Sequence, residues 1–461
     1  MKRKVVSMLL ACTMAVSMAA GFSPIRSEAA EEAKATYTCQ LHAKVTDAGE
    51  VVNEVVIALG EDKRAANIDE DTFTIHATAT VKGFLEGTGL ESNGDYDIDR
   101  KVLQVETAGQ WVSLRLDASQ GATLAYTTGL RNYPATLTYT ITQNKPFTLM
   151  SPDGRILDEE HMAVFTCNNT VVDPETAKFE SVKVPGGINY QFYNAGEGVD
   201  KLVVWFHGNG EGDLLSSGNN VAQMLANRGT VAWASDEFQE IFGKAHVMSF
   251  QAPDTWYYAQ RDGLLQKAAD EINDVIRKYG VDPQKVAVSG CSAGGYMTTR
   301  MLIAYPDMFA VAMINCPALD VATARGGETP TDEELASIKE SDTAIWLVQG
   351  ATDSSVATDD CSVRMFNILT SGQQTSQSKI KQELPQNSDM TTYETADNKY
   401  KLSLYDTTED GKLRFAEDYD WDGVMTEVQY SNHWSWIYTL KNDPRAADGT
   451  HIVNWAAGYI K

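Results

Sequence analysis

Positive charge is scarce in this chain. Its 461 residues carry 38 Lys and Arg against 63 Asp and Glu, a formal net charge of -25. Nucleic acid and anionic membrane surfaces both require a basic face, so neither is expected as a partner. Long apolar runs are missing beyond the first 21 residues, which leaves no other candidate for a bilayer span. Cysteine is sparse: six residues, with no C-x-x-C pair and no zinc-type spacing. No internal repeat is visible, and the segment before residue 180 is too short for a large β-propeller. What is present is ordinary globular composition, 43% hydrophobic and 22% charged, at a length suited to two domains.

The N-terminus has the build of a secretory signal peptide over residues 1–30. Lys2, Arg3 and Lys4 form a basic start, Val5 to Gly21 an apolar stretch, and Ser27-Glu28-Ala29 or Ala30 a small-residue cleavage site. The expected location is therefore outside the cell. Leu9-Leu10-Ala11-Cys12 also resembles a lipoprotein box, which would tether the chain at Cys12 and is its one route to a membrane. The residues after Cys12 stay apolar, which fits a continuing signal better. Cleavage leaves five cysteines, an odd number. Cys39 and Cys167 sit near the two ends of the N-terminal region and are placed to clasp it.

Residues 31–178 read as an all-β sandwich domain. "TYTCQLHAKV", "VVNEVVIAL", "TFTIHATATV", "WVSLRLDA" and "ATLTYTITQ" alternate, are rich in Thr, Val, Ile and aromatics, and are separated by turn-forming segments. From 179 to 461 the pattern changes. "KLVVWFHG", "HVMSFQAP", "KVAVSG", "FAVAMINCPA" and "TAIWLVQG" are short apolar strands. They alternate with helical stretches such as "RDGLLQKAADEINDVIRKYG", which Gly280 ends. Alternating strands and helices predict a mostly parallel sheet covered by helices, an α/β fold. Residues 371–430 are polar and read as a long irregular insertion outside the core.

The stretch "KVAVSGCSAGGYMTTRMLIAYP" places G-x-S-x-G, Gly290 to Gly294, between a strand and a helix. A serine at the centre of such a sharp turn projects above the sheet edge, and its neighbours two residues away must be small. Ser292 is thus the candidate nucleophile, ahead of Cys291, which is not at the central position. Serine needs a base, and the base needs an orienting acid. His433 and His451 are the two histidines that follow Ser292. His433 comes just after the strand-like "VMTEVQY", whereas His451 opens the last helix, so His433 is the candidate base. Asp353 follows "AIWLVQG" by a short loop and is the candidate acid. Asp359 and Asp360 read as solvated. Oxyanion donors are expected from the backbone N–H of Ala293 and from Asn209 or Gly210 in "FHGNGEGD". His207 opens that loop and reads as structural.

Four segments, "HGNGEGD", "VDPQKVAVSGCSAGGYMT", "LVQGATDSSV" and "HWSWIYTLKNDP…IVNW", resemble in order and spacing the α/β-hydrolases of the polyhydroxybutyrate-depolymerase and feruloyl-esterase-like group. The catalytic domain also resembles the type that prolyl oligopeptidases use. The whole chain is similar to esterases that carry an N-terminal immunoglobulin-like domain. The resemblance implies Ser292, Asp353 and His433 as a triad that hydrolyses carboxylic esters, with acylated plant polysaccharide among the natural candidates and no required cofactor. "HGNGEGD" departs from the more usual HGGG form of the oxyanion loop.

"DYDWDG", residues 418–423, matches the first half of a calcium loop, with Asp418, Asp420 and Asp422 as oxygen donors. Its twelfth position is Gln429, a weaker ligand than Glu, and no helix clearly flanks it, so a solvated acidic turn is the plainer reading and no metal site is assigned. Two other functions compete with the secreted esterase. One is a prolyl-oligopeptidase-like serine peptidase. The other is a non-catalytic carbohydrate binder that uses aromatics of the β domain such as Trp111 and Tyr133.

Overall fold

The strand Ala35–Thr46 buries every second side chain, Tyr37, Cys39, Leu41, Ala43 and Val45, which is what a period of two does when one sheet face is covered. The computed structural model to which it belongs describes residues 34–382, 387–418 and 424–461. The signal segment with Cys12, and Asp420, Asp422 and Gly423 of the acidic turn, lie outside the described residues. Thr36–Lys461 form one unit.

Up to residue 175 the described chain is almost wholly β. A five-stranded sheet runs in the order Ala163–Val172, Ala35–Thr46, Gly49–Ala58, Trp111–Leu116, Val102–Ala108. Two three-stranded sheets accompany it, built around Phe73–Thr80 and around Phe147–Met150. Arg100 is buried among them. Its guanidinium donates to the Tyr139 hydroxyl at 2.7 Å and to the carbonyls of Val52, Asp117 and Gln120 at 2.8–2.9 Å, which satisfies a charge that burial would otherwise penalise. Tyr133 is buried, and its hydroxyl accepts from the Leu215 N–H at 3.1 Å. It is a packing residue and offers no exposed surface to a sugar, which removes half of the expected carbohydrate platform. Trp111 is half-buried on its strand.

From Phe179 a ten-stranded sheet dominates. Its parallel centre runs His246–Phe250, Leu202–Phe206, Val286–Cys291, Val311–Asn315, Ala344–Gly350, Tyr400–Tyr405. Antiparallel strands flank it on both edges. The central strands are buried on both faces, so they read as unbroken apolar runs. The helix Leu264–Tyr279 lays Leu264, Ala268, Ile272 and Val275 onto the sheet, and Gly280 stops it at φ 73°, a backbone only glycine adopts freely.

The reading of residues 371–430 as an irregular insertion is wrong. Thr375–Ile380, Met390–Thr395 and Tyr400–Tyr405 are strands of the main sheet, and Tyr400–Tyr405 pairs parallel with Ala344–Gly350. Met390, Tyr400, Leu402 and Tyr405 are core residues. Lys401 disguises the strand. It is fully buried and pairs with Glu394 on the next strand, so a charge in the sequence marks an internal ion pair and not a solvated loop.

The β region and the α/β region share an interface. Val45 packs with Met224 and Val231. Arg228 donates to both carboxylate oxygens of Glu175 at 2.9–3.0 Å, and Arg131 reaches the Asp254 carboxylate at 2.8 Å.

Candidate active site

The strand Val286–Cys291 turns at Ser292 into the helix Ala293–Ala304. Ser292 sits at φ 54° and ψ -117°, a conformation costly for any residue with a β-carbon. The glycines around it are there for close approach. A β-carbon on Gly294 would run into the carbonyl oxygens of Phe206 and His207, and one on Gly290 into the Gly294 carbonyl and the Thr298 hydroxyl. The turn is held by the Ser292 N–H donating to the Asn315 carbonyl at 3.0 Å and by the Ser292 carbonyl accepting from Tyr296 and Ala318 at 2.9 and 3.1 Å.

The three residues singled out in sequence meet at this turn. Ser292 Oγ lies 2.9 Å from His433 Nε2, and His433 Nδ1 lies 2.7 Å from Asp353 Oδ2. The Asp353 side chain is fully buried. Its Oδ1 accepts from the N–H groups of Ser355 and Val356 at 2.8 and 3.2 Å, and its Oδ2 accepts from the Gln349 amide at 3.2 Å. The carboxylate therefore has one orientation, and it presents one oxygen to the imidazole. Asp359 and Asp360 are exposed at the start of the π-helical segment Asp359–Val363, and His451 caps the last helix with Nδ1 against the Asn442 carbonyl.

His433 does not hang from the main sheet. The strand before it, Thr426–Ser431, belongs to a separate two-stranded ribbon with Lys412–Glu417. Asn432 anchors this ribbon to the acid loop. Its Oδ1 accepts from the Ser354 N–H and hydroxyl at 3.2 and 2.9 Å, and its Nδ2 donates to the Thr352 carbonyl at 2.7 Å. Neither Asn432 nor Gln349 stood out in the sequence. The one available signal was a polar Gln349 at the end of an otherwise apolar buried strand.

Asn209–Glu211 form a short turn after the strand Leu202–Phe206, at the same sheet edge. Among the described residues, the backbone N–H groups of Asn209, Gly210 and Ala293 have no acceptor. The Asn209 side chain accepts from the Thr255 hydroxyl at 2.8 Å, and the Gly210 carbonyl from Asn132 at 3.2 Å. His207 is buried. Its Nε2 accepts from the Ala252 N–H at 2.9 Å, which leaves the proton on Nδ1, where it donates to the Gly208 carbonyl, with Glu211 Oε2 nearby at 3.6 Å. It shapes the loop and does not reach Ser292.

A cleft of about 590 Å³ opens over Ser292 and His433. Trp434, Trp436, Tyr257 and Val356 line it from the α/β region, and Tyr126, Leu130 and Asn132 from the β region. The Trp436 indole N–H is buried with no acceptor among the described residues. Cys316, Asp353 and His433 are the one group of potential metal-ligating side chains found together among the described residues. The His433 and Asp353 atoms in it are already bonded to each other. Burial, reinforced by the Asp353 carboxylate, pushes the Cys316 thiol well up, so it stays protonated and makes a poor metal ligand. Of the acidic turn, Asp418 alone is described.

A model of the prolyl oligopeptidase family matches residues 266–343, which include the Ser292 turn. Acetylxylan esterase A of Aspergillus awamori is 40% identical over 52 residues, 11% of this chain and 17% of that protein, so the match spans about a sixth of that relative's length. A solved structure of a thermostable esterase superposes with a TM-score of 0.61 over 88% of this chain and 96% of its own, at 20% identity. The acetyl xylan esterase structure from Aspergillus awamori has a TM-score of 0.37 over 50% of this chain and 93% of its own, at 18% identity. With the thermostable esterase the likeness is one of fold, and the fold is that of an α/β-hydrolase.

Proposed function

We propose that this protein is a serine hydrolase of carboxylic esters. The observation that carries the reading is the unbroken relay from Ser292 Oγ through His433 to Asp353, at 2.9 and 2.7 Å. His433 Nε2 takes the Ser292 proton as Oγ attacks the ester carbonyl. Asp353 holds the imidazole with its other proton on Nδ1 and stabilises the imidazolium that forms. The free N–H groups of Ala293 and of Asn209 or Gly210 receive the oxyanion. His433 then returns the proton to the leaving alcohol. Water, activated by the same imidazole, hydrolyses the acyl-enzyme. No cofactor enters these steps.

The lining of the cleft supports one class of substrate. Trp434, Trp436, Tyr257 and Tyr126 offer aromatic faces beside the nucleophile, and the buried indole N–H of Trp436 offers a donor. Such a surface suits a sugar or aryl ring, and a small acyl group on a polysaccharide fits both that lining and the partial likeness to an acetylxylan esterase. The same proposal includes export by the signal segment 1–30, with lipid attachment at Cys12 as its variant. It also takes residues 31–178 as an immunoglobulin-like domain, and it keeps the resemblance of 179–461 to the polyhydroxybutyrate-depolymerase and feruloyl-esterase-like group. A calcium ion at Asp418, Asp420 and Asp422 is no part of it.

The family described as prolyl oligopeptidase, matched over 266–343 with the Ser292 turn inside it, keeps a second reading open, a peptidase. One panel separates them: p-nitrophenyl esters of several chain lengths, methyl ferulate, acetylated xylan and a proline-containing peptide anilide, each with the protein and with Ser292→Ala. Serine-dependent cleavage of esters alone supports the esterase. Cleavage of the anilide moves the protein to the peptidases, and no serine-dependent cleavage of any member rejects both.

A further inference from the structure

The strand Ala163–Val172 lies beside Ala35–Thr46 in the five-stranded sheet. Side-chain contacts set their alignment. The Tyr37 ring meets the Phe165 ring at 6.0 Å, and the Gln40 side chain meets Asn168 and Thr170. Residue numbers rise together along both strands, so they run in the same direction. Side chains two apart share a face. One step on from Tyr37 and Phe165 the facing pair is Cys39 and Cys167. Their thiols engage each other directly, and both are in the free form here. Neighbouring strands lie about 4.8 Å apart, inside the range of Cα separations a disulfide spans.

We infer that Cys39 and Cys167 form a disulfide that joins the first and last strands of the β region. The two thiols are unequal. Cys167 is half-buried and Cys39 is buried. Cys167 is thus the attacking thiolate. It attacks one sulfur of a small disulfide such as glutathione disulfide, forming a mixed disulfide and releasing one thiolate. Cys39 gives up its proton, its sulfur attacks Cys167 Sγ, and the second glutathione leaves as a thiol. Two protein thiols lose two electrons and two protons, and one disulfide is reduced to two thiols. Cys291, Cys316 and Cys361 are buried in the α/β region, and burial pushes each of their thiols up, so they do not compete.

The bond would stiffen a strand whose continuation carries Glu175, the partner of Arg228 across the interface. The inference stands independently of the proposed activity. Its test is to hold the full chain in oxidised or reduced glutathione, block free thiols with iodoacetamide, and map peptides without reduction. The expected result after oxidation is one cross-linked Cys39–Cys167 peptide, about 2 Da lighter than its two halves, with a melting temperature roughly 5 °C above that of the reduced protein. The increase should vanish in Cys167→Ser. Full alkylation of both residues, Cys167 found only as its glutathione adduct, or a linkage to a different cysteine would overturn the inference.

Discussion

Asp47 Oδ2 lies 2.5 Å from Lys441 Nζ. The contact joins the turn after the first strand of the β region to the segment that follows His433, and Glu417 on the His433 ribbon shares the same lysine at 3.9 Å. Burial first, and then the neighbouring Asp47, pushes the Glu417 carboxyl up to about 8. The sign of the pH effect follows. A carboxyl whose pKa is raised by folding binds its proton more tightly in the native state, so stability falls as pH rises from its ordinary value near 4.5 towards 8. Glu417→Gln should flatten that decline. Melting temperatures measured from pH 5 to 9 in both proteins check it, and parallel curves would rule the role out.

Loss of the nucleophile should be close to total. Ser292→Ala is expected to reduce kcat on p-nitrophenyl acetate by about 10⁴-fold or more while the protein stays folded. The far-ultraviolet spectrum and melting temperature report the fold. Retention of most activity in a folded variant would remove Ser292 from the mechanism.

Asp353→Asn tests orientation. The amide keeps the shape of the side chain but offers the wrong group to His433 Nδ1, and kcat should fall by roughly 10⁴-fold with KM little changed. Asn432→Ala should act more mildly, lowering kcat by about tenfold, since Asn432 only ties the base segment to Thr352 and Ser354. If the two variants were equally impaired, the acid would have no special part.

The backbone of the nucleophile turn leaves no room for a methyl group. Gly294→Ala should yield little soluble protein, or a variant with a clearly lower melting temperature, because the added carbon meets two main-chain oxygens that cannot move aside. A wild-type melting temperature would contradict the packing described.

The β region forms one wall of the cleft, with Tyr126 exposed on it. Tyr126→Ala is expected to raise KM about tenfold for an acylated oligosaccharide and to leave kcat/KM for p-nitrophenyl acetate within a factor of about two, since the small ester does not span the cleft. Equal effects on both substrates would mean that the wall is structural only.

Much of this molecule can be read from local pattern. The parallel strands announce themselves as apolar runs, the helix Leu264–Tyr279 by its stripe and its glycine stop, and the turn at Ser292 by glycines that a strand-to-helix crossing needs. These signals are legible because hydrogen bonding and burial along one segment dictate its own periodicity. Chain order alone nominates Asp353 and His433, but their distances are a property of the fold. Tertiary structure alone decided that Lys401 belongs to a buried strand and that Asn432 ties the base to the acid. It likewise decided that Tyr133 is core, that Cys39 faces Cys167, and that Tyr126 looks across at Ser292's cleft. Each is a meeting of residues far apart in the chain, set by how sheets pack and not by any repeat within a segment. A sequence shows which side chains seek burial or a partner; only the packed chain shows which partner each one finds.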